Sequence, residues 1–103
     1  MIVRAWRGYA TPSHEEAYPD HLLRTVRPKL EALSGFGGLY LLRRRDSAEV
    51  EFQVLTLWNS MADILAFAGP DPERAVVEPE AAAALVRFDA TVRHYEVLAQ
   101  PGR

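Results

Sequence analysis

Two histidines are the side chains of this sequence best suited to move a proton near neutral pH. His94 follows Phe88 and Val92 on one face of a predicted strand, where partial desolvation would favour the neutral imidazole that acts as a base. His21 comes one helical turn after Tyr18 and therefore lies beside the apolar stripe of a predicted helix. Both are candidate catalytic residues. The structural alternatives are a core histidine bonded to the backbone for His94 and a half-solvated boundary residue for His21.

Aromatic and polar side chains close to these histidines could form a ligand pocket. Arg4 and Trp6 share one face of the first predicted strand, and a covered Arg4 would need either a ligand or an acidic neighbour. Asn59 could orient a substrate or dioxygen, or could be an ordinary turn residue. The aromatic residues could equally be plain core residues. The candidate substrate-binding residues are Arg4, Trp6, Tyr40, Trp58, Asn59 and Phe67.

Composition excludes several classes of function. The chain has 103 residues, a formal charge of −2 and no cysteine, so disulfides, thiol catalysis and thiolate metal sites are excluded. No metal site is predicted. The only basic run, residues 43–45, is interpreted as a solvated turn, so no nucleic-acid partner is expected. No apolar run is long enough for a signal peptide or a membrane span, which predicts a cytoplasmic protein.

The elements that would position these side chains follow from hydrophobic periodicity. Alternating patterns predict strands over residues 2–10, 36–45, 50–58 and roughly 86–98. A helical pattern follows the first strand, with Ser13 and Glu16 as a capping box and with Pro19 and Pro28 predicting either a kink or a helix in two pieces. The connection over residues 70–84 is interpreted as an insertion with a short helix at residues 80–84.

The second helix has the clearest end signals in the chain. Ser60 can cap its first backbone NH groups, and the negative charge of Asp63 interacts favourably with the helix dipole. Gly69 can adopt the left-handed conformation that ends a helix. Apolar residues recur at helical spacing between these ends and predict one buried stripe, made of Met61, Ile64, Leu65 and Ala68 with Phe67 on its flank.

The predicted order β-α-β-β-α-β is the ferredoxin-like arrangement of an α+β fold, an antiparallel sheet with helices on one face, and residues 1–103 are interpreted as a single domain. The middle strands are apolar on both faces. In the second strand, Phe36, Tyr40 and Leu42 are assigned to one face and Leu39 and Leu41 to the other. Two helices cover only one face of such a sheet, so a second copy of the chain is expected to cover the other, giving a homodimer.

Several motifs resemble the antibiotic biosynthesis monooxygenase superfamily over nearly the whole chain. They are the sequences at residues 58–60, 66–69, 71, 73–77, 79–80 and 92–97. The resemblance implies a dimeric α+β barrel with a pocket between sheet and helices in each protomer. Some members oxygenate polycyclic phenols with neither metal nor flavin. The expected function is therefore a cofactor-independent monooxygenase that acts on an aromatic or phenolic molecule with dioxygen. A non-catalytic small-ligand-binding or stress-associated dimer is the alternative.

The haem-degrading branch of the same superfamily is disfavoured by three positions. That branch uses an Asn in the first strand, a Trp in the second helix and a His ligand soon after it. This chain has no Asn before Asn59, has Phe67 and no Trp within the second helix, and has no His between His21 and His94.

Overall fold

The computed structural model describes residues 1–102 and has an antiparallel sheet of five strands with helices on one face. This confirms the predicted α+β fold class. The strands are β1 (Ile2–Ala10), β2 (Phe36–Arg45), β3 (Val50–Trp58), β4 (Arg87–Phe88) and β5 (Arg93–Glu96). The helices are α1 (Ala17–His21), α2 (Arg27–Glu31), α3 (Met61–Ala68) and α4 (Pro79–Ala84).

Strand β1 is the centre of the sheet. On one side it pairs along its whole length with β3, from Ile2 opposite Trp58 to Ala10 opposite Val50, and β2 pairs with the far side of β3. On the other side it pairs with both β4 and β5. The side chains of β1 are therefore flanked by neighbours in both directions, and Arg4, which lines the cavity between sheet and helices, is only 5% exposed.

The prediction of one continuous last strand over residues 86–98 is wrong. Phe88 pairs with Gly8 and Arg93 pairs with Ala5, but residues 90–92 between them leave the ladder. Residues 90–92 bond instead to the insertion, through Ala75 N to Ala90 O (2.9 Å) and Val92 N to Glu73 O (2.8 Å). Because each backbone group needs a partner, the insertion splits the strand by supplying an alternative one.

A β-bulge near the start of β2 corrects the assignment of Phe36. Phe36 pairs with Trp58, while Gly38 pairs with Leu57, so one extra residue lies in β2. The extra residue moves Phe36 to the helix-covered face, where its ring contacts Trp58 edge-on at 5.5 Å between centroids. Tyr40 and Leu42 remain on the open face, at 52% and 43% exposure.

The first helical region is broken, as its prolines predict. Between α1 and α2 the turn Leu22–Val26 is π-helical, and Pro28 lies in the first turn of α2. The predicted capping box is wrong: Ser13 lies in a separate 3₁₀ turn, Pro12–His14, and α1 begins at Ala17 with no side-chain cap. Pro12 favours that separate turn because it fixes the backbone just before Ser13.

The ends of α3 are confirmed. Ser60 Oγ accepts a hydrogen bond from Asp63 N (3.2 Å) and donates one to Asp63 Oδ2 (2.7 Å), and Gly69 has φ +89°. The buried stripe differs from the predicted one. Ile64 is fully buried and Phe67 is half-buried, whereas Leu65 is 40% exposed, so the helix is rotated toward Phe67.

The two faces of the sheet have opposite environments. On the helix-covered face, alternate residues of β3 from Val50 to Trp58 are buried. On the open face Leu55 and Leu57 are only half-buried, and Tyr95 is 51% exposed. Within residues 1–102, none of the helices is long and apolar enough to cross a membrane.

Candidate functional site

A cavity of about 100 Å³ lies between the helix-covered face of the sheet and the helices. Its lining is mostly apolar. It is formed by Arg4, Trp6, Tyr18, His21, Leu22, Val26, Leu30, Val54, Thr56, Phe67, Val76, Val77, Glu78, Ala81 and Val92. A mostly apolar cavity with a few converging polar groups is the usual form of a small-molecule site.

The floor of the cavity comes from adjacent positions of the two central strands. Arg4 pairs with Thr56, and Trp6 pairs with Val54, so these side chains project side by side. Trp6 is fixed by a hydrogen bond from its Nε1 to the Asp89 carbonyl (2.7 Å) and by a tilted contact with the Tyr18 ring at 5.7 Å. The predicted shared face of Arg4 and Trp6 is thus confirmed.

The roof comes from α1, the π-helical turn and the insertion. Tyr18 and His21 reach the cavity from α1, while Val76, Val77 and Glu78 reach it from the segment before α4. Burial raises the pKa of Tyr18, which keeps its hydroxyl protonated and available as a donor. The insertion is therefore a wall of the cavity.

His21 is buried at 8% exposure, and neither ring nitrogen makes a hydrogen bond within residues 1–102. Two carboxylates from the start of α4 approach it. Glu80 Oε2 lies 3.2 Å from Nδ1, and Glu78 Oε2 lies 4.0 Å from Nε2. The first distance is within hydrogen-bond range, but the atoms are not aligned for a hydrogen bond. A buried imidazole without a hydrogen bond is uncommon and calls for a physical reason.

Arg4 is the second buried polar group of the cavity. Its Nη1 donates to the Pro72 carbonyl and contacts His94 Nε2 (3.0 Å), its Nη2 donates to the Arg74 carbonyl (2.9 Å), and its guanidinium lies 5.8 Å from the centre of the Phe67 ring. Burial lowers the pKa of Arg4, but a guanidinium stays charged in proteins. Across the described part of the chain, no carboxylate forms an ion pair with it.

His94 lies next to the cavity and outside its lining. Since Arg4 has only donors, the contact between them requires His94 Nε2 to be the unprotonated acceptor. Partial burial and the charge of Arg4 lower the pKa of His94, and Glu73 opposes them. The ring is therefore held neutral, as the sequence predicts, but its accepting nitrogen faces an arginine and not the cavity.

The other candidate binding residues fall into three environments. Phe67 lines the cavity, and Trp58 lies behind it, stacked at 5.2 Å and bonded through its Nε1 to Thr56 Oγ1 (2.9 Å). Asn59 is exposed, and its backbone NH bonds to the Gly35 carbonyl (2.9 Å). Tyr40 lies on the open face. The cavity therefore brings together Arg4, Trp6, His21 and Phe67 among the predicted residues.

Eleven of the fifteen lining residues were not among the residues predicted from the sequence, and the polar ones among the eleven are Tyr18, Thr56 and Glu78. Tyr18 precedes His21 by one helical turn, a spacing that could have suggested a shared cavity. Over residues 1–102 the structure shows no group of three or more His, Asp or Glu side chains arranged to hold a metal ion.

Comparisons with known proteins agree on the architecture. Neither a protein-family model nor a curated protein sequence matches this chain. A candidate antibiotic biosynthesis monooxygenase from Bacillus cereus has a TM-score of 0.70 at 14% identity, with 99% of this chain and 97% of that chain covered. SnoaB, a cofactor-independent oxygenase from Streptomyces nogalater, has a TM-score of 0.56 at 17% identity, with 98% and 95% covered.

The heme-degrader MhuD from Mycobacterium tuberculosis has a TM-score of 0.58 at 23% identity, with 99% of this chain and 100% of that chain covered. These structures share an architecture and not one activity, so the likeness concerns the fold. The chain therefore has the fold that these three solved structures share.

Proposed function

We propose that this protein is a cofactor-independent monooxygenase that acts on a small aromatic or phenolic molecule in the cavity between sheet and helices. The observation that carries the proposal is the buried imidazole of His21, which lines an apolar cavity with both ring nitrogens free of hydrogen bonds. The unprotonated nitrogen of a neutral imidazole in such a place is a free acceptor for a substrate proton. The neighbouring Glu80 carboxylate would stabilise the imidazolium that forms.

The reaction is proton removal followed by direct reaction with dioxygen. His21 takes a proton from an activated CH₂ group of the substrate and leaves a carbanion delocalised over the aromatic ring. One electron passes to O₂, and the resulting radicals combine to form a carbon–oxygen bond and a peroxide anion. Return of the proton and loss of water then give the carbonyl, so that CH₂ and O₂ become C=O and H₂O. The walls formed by Trp6 and Phe67 exclude water from the reactive anion.

Oxygen uptake measures this activity directly. The purified protein is tested with small phenols, quinols and anthrones, and each rate is compared with autoxidation in buffer. We expect uptake above autoxidation for at least one compound. His21→Gln keeps a polar side chain of similar size without a basic nitrogen and should lower that rate by roughly 10²-fold or more.

His14→Gln is the matched control, because His14 is exposed in the 3₁₀ turn away from the cavity. Circular dichroism checks that each variant is folded. Rates equal to autoxidation for every compound would contradict the proposal. Full activity of His21→Gln would contradict the role of that residue and return His94 as the candidate base.

A second candidate function is a non-catalytic binder of the same class of ligand, because an apolar cavity by itself requires no turnover. In that case aromatic compounds should raise the melting temperature of the protein without oxygen uptake. The combination of both measurements separates a binder from an enzyme.

We also propose that the protein acts as a homodimer through the open face of the sheet. The support is an exposed apolar surface, formed by Tyr40, Leu42, Tyr95 and Leu98, with the half-buried Leu55 and Leu57 between them. Sedimentation equilibrium at micromolar concentration should give twice the chain mass of 11.6 kDa. A stable monomer would contradict this assembly. A cytoplasmic location stays a prediction.

A further inference from the structure

We propose that the cavity selects aromatic acids, in the form of carboxylates or ionised phenols, and that Arg4 is the counter-ion of the bound ligand. This inference names the ligand class of the proposed site and rests on that cavity being the site. It concerns binding alone, so it applies to an enzyme and to a non-catalytic binder alike. The charged group would lie against Arg4, and the remaining aromatic part would face Trp6, Phe67 and His21.

The cavity lining carries a buried positive charge that no nearby negative charge balances. Arg4 is only 5% exposed, yet its protein partners are two carbonyls, a neutral imidazole and the Phe67 ring, none of which carries a negative charge. These dipoles reduce the cost of burying a cation but leave the positive charge uncompensated. A ligand that brings one negative charge would complete the site.

The lining also offers no competing anion at Arg4. Glu78 is the one carboxylate in the lining, and its Oε2 lies 3.6 Å from Lys29 Nζ and 4.0 Å from His21 Nε2. Its charge is therefore engaged at the opposite, helical wall. Tyr18, which stays protonated, adds a neutral donor to the same cavity. Donors and a cation without an opposing acid favour an anionic ligand.

The guanidinium of Arg4 is held in place and still has N–H donors without an acceptor. Three contacts fix its two terminal nitrogens, and Nε–H has no acceptor within the described residues. A fixed fork loses little conformational freedom when it binds a carboxylate or phenolate. His94 is then a positioning residue, because it accepts from Arg4 and prevents that nitrogen from turning away.

A matched pair of probes tests the inference on the unmodified protein. Benzoate and benzamide have nearly the same shape and differ in charge. Isothermal titration calorimetry should show benzoate binding at least about tenfold more tightly, since charge-assisted hydrogen bonds are stronger than neutral ones. 4-Nitrophenol tests whether the site also prefers an ionised phenol to the neutral phenol. If the phenolate binds about tenfold more tightly than the phenol, linkage lowers the apparent pKa of the bound compound by about one unit, and absorbance measures it.

Variants assign the preference to Arg4. Arg4→Met should reduce the benzoate to benzamide ratio to about one while benzamide still binds. Arg4→Lys keeps the charge without the fork and should retain part of the ratio, which keeps the test informative if Arg4→Met does not fold. Arg7→Met is the control, because Arg7 lies on the same strand, is exposed and is paired with Asp89 at 3.0 Å. It should leave the ratio unchanged.

The role of His94 is tested by two further substitutions. His94→Gln offers an amide oxygen to Arg4 and should keep the preference for benzoate, whereas His94→Phe offers no acceptor and should lose roughly threefold or more of it. A purely structural role would affect benzoate and benzamide equally.

Equal binding of benzoate and benzamide, no binding of either at millimolar concentration, or a preference that survives Arg4→Met would each overturn the inference. These outcomes are independent of oxygen uptake. An anion preference without turnover would contradict the monooxygenase proposal alone, and turnover with neutral substrates alone would contradict only the ligand class.

Discussion

The two faces of the sheet carry similarly apolar residues but differ in what they enclose. On the helix-covered face, Trp58 is 1% exposed and packs against Phe67, with the cavity beyond it. On the open face, its neighbour Leu57 is half-buried, and no helix covers it. The comparison teaches that apolar character alone does not make a core. The helix-covered face holds the fold together, whereas the open face is a surface available for another copy.

The substitution with the largest expected effect removes Trp58. Trp58→Ala leaves a void beside Phe67 and Phe36 and should lower the free energy of unfolding by about 3–5 kcal/mol. Urea denaturation followed by circular dichroism measures it. Trp58→Phe, which keeps most of the volume, is the control and should cost less. A loss below about 1 kcal/mol for Trp58→Ala would show that this face is not the core.

The matched change on the other face is Leu57→Glu. A carboxylate in a packed interface has no partner, and a symmetric dimer contains it in two copies, so the dissociation constant should rise by about 10²-fold or more. Sedimentation velocity measures the dissociation, and unfolding of the monomer should change little. A variant that stays dimeric would remove the open face as the interface. Arg43→Glu, in an exposed part of β2, controls for the added charge.

A smaller effect is expected at the start of α3. Ser60→Ala removes the acceptor of Asp63 N and should lower the free energy of unfolding by about 1 kcal/mol. Because α3 carries Phe67 into the cavity, ligand affinity should fall as well. Ser34→Ala, at an exposed position outside the helices, is the control in the same denaturation experiment. An unchanged midpoint for Ser60→Ala would show that this bond contributes nothing.

The smallest expected effect is a pH dependence from His94. Its folded-state pKa is lowered, so the unfolded chain binds more protons as pH falls below the usual value near 6.5. Stability from this residue is therefore complete above that value and is lost as pH falls toward the lowered folded pKa. The melting temperature of His94→Gln should vary less over this range than that of the unmodified protein. An unchanged pH profile would show that His94 does not titrate differently on folding, and His14→Gln controls for an exposed histidine.

How well a feature could be predicted depended on the sequence distance over which it is determined. The cap at Ser60 and the end at Gly69 involve residues within one turn, and the structure confirms both. The burial of Arg4 followed from topology alone. Its partners Pro72, Arg74 and His94 lie 68 to 90 residues away in sequence, and no periodicity relates such positions.

The errors have equally specific causes. One extra residue in β2 reversed the face of Phe36, because a strand pattern has a period of two and a bulge adds one. The last strand was predicted as continuous because its alternation is unbroken in sequence, while the competing backbone partners lie in the insertion. The contact of His94 with Arg4 was also missed, because it joins two strands that lie far apart in the sequence.

The attachment of residues 73–75 to residues 90–92 has a consequence for how this fold can acquire new specificities. That attachment uses backbone atoms at Glu73, Ala75, Ala90 and Val92, so it places few demands on side chains. The wall residues Val76, Val77 and Glu78 can then be exchanged without breaking any strand pair of β1. Libraries confined to these three positions should therefore diversify the accepted ligands while the strand pairs of β1 stay intact.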